Sequence, residues 1–201
     1  MTGDISAWLM ANGETALFVT FFGALLVFGI LEAVLAARQA PARLRRWPTN
    51  IVITALAIVT PGFVPLTVLG VALWADAEGF GLLNAIALPL WAVIVATLAV
   101  RSLVAWATHL SMHKVPALWR LHRVHHSDTV LDVSTTARFH PLEFVPQLAI
   151  LAAATAAFGL MPVALVAYEI LDALVNVFSH AAIRLPAWLD RPLRLVFVTP
   201  A

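Results

Sequence analysis

The sequence predicts an all-α, integral membrane helical bundle of about four transmembrane helices carrying a cytoplasmic histidine-rich cap. Three observations predict it. Of 201 residues, 62% are hydrophobic and 11% are charged, where a soluble domain carries about 25% charged residues. Mean hydropathy is +0.93. The apolar residues also fall in long runs separated by short polar segments, and a chain of this kind needs lipid as its solvent. Residues 1–201 read as a single membrane domain.

The first run, 15–37, holds one acid, Glu32, and is long enough for a hydrocarbon core of about 30 Å. The residues ahead of it lack a basic region and no small-residue cleavage site follows, so the run reads as a retained membrane helix rather than a signal peptide. Arg38, Arg43, Arg45 and Arg46 come next, with Pro41 and Pro48 expected to stop the helix. The second run, 50–75, contains Pro61 and Pro65, read as kinks that neighbouring helices satisfy. After a short acidic turn with Asp76 and Glu78, the third run begins at Leu82 and continues without an expected breaker to His113. Residues 109–143 form a polar, histidine-rich segment. Apolar sequence resumes over 144–180, interrupted at Gly159 and Pro162, as a hairpin or two spans.

Charge sets the expected orientation. Arginines follow the first helix, acids follow the second, and Lys114, Arg120 and Arg123 follow the third. Bases collect on one side, which places the histidine segment in the cytoplasm. Trp47, Trp74 and Trp119 stand near expected helix ends, as an aromatic belt would place them. A net charge of +1 without a basic stripe argues against nucleic acid as a partner. The absence of cysteine excludes disulfides, iron–sulfur clusters and thiol nucleophiles, so any metal must be held by His, Asp or Glu.

All seven histidines lie in the second half of the chain: His109, His113, His122, His125, His126, His140 and His180. His109 and His113 are four apart on a helix, one turn from each other on one face. His122, His125 and His126 form H-x-x-H-H, in which the adjacent pair diverges by roughly 100° if helical. One interfacial histidine is usually just solvated. Five within 18 residues of so apolar a chain read as ligands. Imidazole accepts several metals, zinc and nickel among them, but a zinc site needs only three or four ligands, so this many favours a dinuclear centre. His140, held extended before Pro141, is read as a ligand or an interfacial hydrogen-bonding group. Glu169, Asp172, Asn176 and His180 share a helix face and either line the metal pocket or form a buried network between helices. Asp128, Asp132 and Glu143 are candidates to accept the outward N–H of a metal-bound imidazole, as are Asp172 and Asn176.

His109-x3-His113, then Leu118-Trp119-Arg120-Leu121-His122-Arg123-Val124-His125-His126-Ser127, then Arg138-Phe139-His140-Pro141-Leu142-Glu143, resemble the fatty acid hydroxylase / sterol desaturase superfamily over residues 101–184. The resemblance implies a membrane-bound oxygenase of the bacterial inner membrane with two iron ions and O2 as co-substrate. It would act on a fatty acyl or sterol-like lipid in lipid biosynthesis. It makes the two clusters the first and second histidine boxes, and His180 the further histidine before the last box. With no dinucleotide fingerprint in the chain, electrons would come from an external ferredoxin or cytochrome-type donor. In the family a third H-x-x-H-H follows a Thr-Pro after the last membrane segment. Here Thr199-Pro200 is followed by Ala201, so the expectation is a truncated chain lacking about three ligands, which itself turns over little or nothing. The alternatives are a non-enzymatic membrane metal-binding or transport protein, or an inactive fragment.

Overall fold

A computed structural model describes residues 2–35 and 43–200. Arg38 and Pro41, the end of the first apolar run and Ala201 lie outside the described residues, as does the side chain of Arg43. Among the described residues the protein is all helical, without a strand. The helices are α1 (Thr2–Leu35), α2 (Arg43–Val59), α3 (Val68–Ala77), α4 (Leu82–Ala85), α5 (Leu90–Lys114), α6 (Pro116–His122), α7 (Phe144–Phe158), α8 (Pro162–His180) and α9 (Ala187–Leu193).

Five helical segments are long and apolar enough to cross a membrane: Asp4–Leu35, Arg45–Ala85, Leu90–Lys114, Pro141–Phe158 and Pro162–His180. Their outward faces are apolar. Val19, Leu26, Trp91 and Trp106 are each more than half exposed, as lipid-facing side chains are.

Several boundaries differ from those the sequence suggested, each for a local reason. α1 begins at Thr2 rather than near residue 15, because nothing from Thr2 onward breaks a helix. Pro48 does not stop a helix but sits inside α2. The second run is two helices instead of one kinked helix. Its backbone tightens to a 3-10 turn at Thr60–Phe63, with Pro61 in its first positions. It then restarts at Val68, where the Thr67 hydroxyl accepts the Gly70 N–H at 3.0 Å. The third run likewise divides. Pro89, in extended backbone, precedes Leu90 as the cap of α5, so 82–89 is separate from the span. The last apolar stretch resolves into α7 and α8, joined where Gly159 takes φ +63° at the end of α7, a left-handed conformation that glycine adopts without strain.

α1 packs mainly along α8. Gly13 permits the close approach, since a Cβ there would stand 2.5 Å from Val166 Cγ1. One core cluster joins Ala24, Val133, Val177, Ala181 and Ile183, with Phe21, Phe28 and Phe178 against it. It therefore binds α1 and α8 to the polar segment between α6 and α7. The fully buried Glu32 reinforces that joint by accepting the backbone N–H groups of Val133 at 2.9 Å and Ala182 at 2.6 Å.

Candidate metal centre

The unbroken helix from Leu90 to Lys114 sets His109 and His113 one above the other at its end. Their Nε2 atoms are 3.2 Å apart. Val115 is extended, and Pro116 opens α6 in the position where a missing N–H costs nothing. α6 then carries His122 back over the end of α5. The helix stops at His122, and a 3-10 turn, His125–Ser127, rotates the two histidines after it. His126 Nε2 falls 3.1 Å from His122 Nε2, while the His125 ring stands at 83° to that of His126.

The result is two groups. His109, His113, His122 and His126 each present a ring nitrogen, all within 4.8 Å of one another. His122 is buried and the other three are exposed. His125 leaves this group and pairs with His180, Nε2 to Nε2, at 3.2 Å. It lies flat against Phe139, ring centres 4.8 Å apart. The groups adjoin, since the His122 and His125 ring centres are 5.6 Å apart.

Neighbours fix which nitrogen of two rings is free. His122 Nδ1 donates to Glu143 Oε1 at 2.7 Å, which leaves its Nε2 as a lone pair facing the group. His180 Nδ1 donates to the Asn176 carbonyl at 2.8 Å, which leaves Nε2 facing His125. Glu143 Oε1 also accepts from Gln147 Nε2 at 3.1 Å. Glu143 Oε2 is buried with no hydrogen-bond partner among the described residues. Burial first, then the neighbouring His180 and His126 rings, pulls the His125 pKa down to about 3. Burial and the His122 and His113 rings pull His126 down to about 4. Both rings are therefore neutral near pH 7, the state in which imidazole binds a cation.

This donor set fits metal. An ion bonded at about 2.1 Å to imidazole nitrogens holds adjacent ligand atoms roughly 3 Å apart, which the three Nε2 pairs match. The outward N–H groups of His122 and His180 end on a carboxylate and a carbonyl, as metal-bound imidazoles require.

The other expected residues are placed elsewhere. His140 stands outside the four-histidine group and caps the turn Pro141–Glu143, its Nδ1 accepting the Leu142 N–H at 3.1 Å. Asp128 and Asp132 bond to Arg46 rather than to an imidazole. Asp128 also meets Arg138 at 3.3 Å and Asn50 Nδ2 at 3.2 Å. This network, buried at Asp132, ties the start of α2 to the loop after the second histidine cluster. Asp172 accepts from Asn176 Nδ2 at 3.2 Å, so it supports the residue that orients His180.

The sequence reading missed Arg101. It lies mid-span on α5, 8% exposed, and pairs with Glu169 on α8, Nε to Oε1 at 2.7 Å and Nη2 to Oε2 at 3.1 Å. A lone arginine inside an apolar run was the available signal. Gln147 was also missed, and nothing about its neighbours in sequence distinguishes it.

A cavity of about 230 Å³ reaches the histidines, lined by His109, His122, His125, His180, Glu143 and Arg101 among others. A second, of about 550 Å³, extends among α1, α3, α7 and α8 past Phe18, Phe21, Val68 and Leu148. Arg101, Phe139, Gln147, Leu151, Asp172 and Asn176 line both. The family model described as fatty acid hydroxylase matches residues 94–201. No curated protein and no solved structure matches the chain.

Proposed function

We propose, from the premise that the chain belongs to the fatty acid hydroxylase family, that it is a membrane-bound di-iron oxidoreductase that hydroxylates or desaturates a lipid with O2. The observation that carries this reading is the orientation of His122. Its Nε2 is bared toward three further imidazoles because its Nδ1 is held by a buried carboxylate, and the smaller cavity that reaches His122 shares lining residues with the larger, mostly apolar one.

His109, His113, His122 and His126 would hold one iron, and His125 with His180 would contribute to the other. When bound, the irons supply activation of O2 for removal of hydrogen from an unactivated carbon. For hydroxylation the balance is one C–H bond, one O2, two electrons and two protons giving one C–OH and one water. The electrons come from an external donor of ferredoxin or cytochrome type. The exposed Lys114, Arg120 and Arg123 offer it a cationic face beside the histidines, on the side proposed to be cytoplasmic.

The protein's own share is positioning. Glu143 and the Asn176 carbonyl hold two rings in one tautomer. Phe139 walls His125 on one side. The lining of the larger cavity, with Phe18, Phe21 and Leu148, keeps water from an alkyl chain and leads it toward the rings.

Metal analysis of the purified protein, expressed with whatever its reading frame encodes after Ala201, tests the reading. Two irons per chain without haem absorption, lost together in His125→Ala/His126→Ala, are expected. Stoichiometric zinc near one, with no lipid oxidation on supply of reductant, overturns it.

A further inference from the structure

A charged pair stands between the two cavities. Arg101 and Glu169 form a two-point ion pair inside the membrane-spanning helices, and Arg101 lines both spaces. The Glu169 side chain is 34% exposed and lines the larger cavity, so a group in that space meets a carboxylate whose two oxygens each carry one bond from Arg101 and keep a further lone pair. The Tyr168 ring lies 4.7 Å from the guanidinium carbon. Charges in the hydrocarbon region are costly and mark functional sites more often than scaffolding. Helices α5 and α8 could be joined by apolar packing at lower cost, because a buried ion pair adds little net stability.

We infer that this pair reads a neutral hydroxyl on the substrate, which makes the preferred lipid a hydroxyl-bearing one rather than a free fatty acid. The inference rests on the oxidoreductase reading for its meaning. The charge balance selects the ligand. Glu169 already neutralises Arg101, and Asp172 adds a second acid to the lining of both cavities. An incoming carboxylate would meet that acid and compete with Glu169. A hydroxyl can do both available jobs, donating to Glu169 and accepting from a remaining guanidinium N–H. The rest of the lining is mostly aliphatic and aromatic, which suits the body of such a lipid. Arg101 precedes His109 by eight residues, about 12 Å along the helix, so the hydroxyl would sit about that far from the histidine end of α5.

The test measures binding by the full chain in nanodiscs of octadecan-9-ol, octadecane and stearate, with empty nanodiscs as blank. Wild type is expected to bind the alcohol at least about tenfold more tightly than the alkane, and more tightly than stearate at pH 8. In Glu169→Gln the guanidinium loses its neutralising partner, and preference shifts from the alcohol toward stearate. In Arg101→Leu/Glu169→Leu, which leaves no lone charge, the alcohol-to-alkane ratio falls to within about threefold. Equal binding of alcohol and alkane by wild type, or an alcohol-to-stearate ratio unmoved in Glu169→Gln, overturns the inference. The readout is affinity, so a failure to find iron or oxidation leaves this result standing on its own.

Discussion

The His122 imidazole and the Glu143 carboxylate meet at 2.7 Å with 2% and 0% of their side chains exposed. One comes from the last turn of α6 and the other from the turn that opens α7, so the contact both orients the imidazole and closes the loop between two helices. Glu143→Gln keeps the shape but weakens the acceptor. It is expected to lower metal affinity about 10- to 100-fold, read by competition with a chelator of known affinity. Unchanged affinity would show that the carboxylate only braces the loop.

Position separates His140 from the other histidines. His109→Ala, His113→Ala and His126→Ala should each lower bound metal, because each removes a nitrogen from the four-histidine group. His140→Ala should leave metal content intact and cost about 1 kcal/mol of stability through the lost cap on Leu142. Metal content by mass spectrometry and thermal unfolding in detergent check the two halves. Loss of metal in His140→Ala would place that ring in the centre.

The pH dependence of the ion-free protein follows from His125 and His126. Their folded pKa values, about 3 and about 4, lie below the ordinary 6.5. The folded state therefore binds fewer protons than the unfolded chain across the interval between. Stability from this source is complete above about pH 6.5 and is lost as the pH falls toward 4. Melting temperature recorded from pH 7.5 down to 5 should fall steadily, and less steeply in His125→Gln. A flat profile would contradict the part-burial of His125 and the crowding of His126 by neighbouring imidazoles.

Glu32 supplies a fourth test. In Glu32→Ala the N–H groups of Val133 and Ala182 lose their acceptor in a buried joint, at a cost of about 1–3 kcal/mol for each. Denaturant titration should show this loss. Glu32→Gln, which keeps an oxygen acceptor, should recover part of it.

The membrane-spanning segments were legible because apolar length is a property of composition along the chain. Their breaks were less so. Pro61 ends a helix while Pro48 sits inside one, and only the partners of the freed backbone groups distinguish the cases. The histidine spacing foretold that His125 and His126 diverge, since adjacent helical or 3-10 residues cannot share a face. Asp128 and Asp132 misled because closeness in sequence to a ligand does not decide which arginine, 82 and 86 residues away, claims a carboxylate. Glu143 was a candidate for a reason of chemistry, yet its pairing with His122 in particular depends on how α6 folds back over α5.

Three of the four clustered imidazoles are exposed among the described residues, while the fourth is buried. An ion held there would exchange from the open side without parting the helices around the larger cavity. Loading and stripping the metal should thus proceed at solution rates, governed by ligand exchange rather than by unfolding.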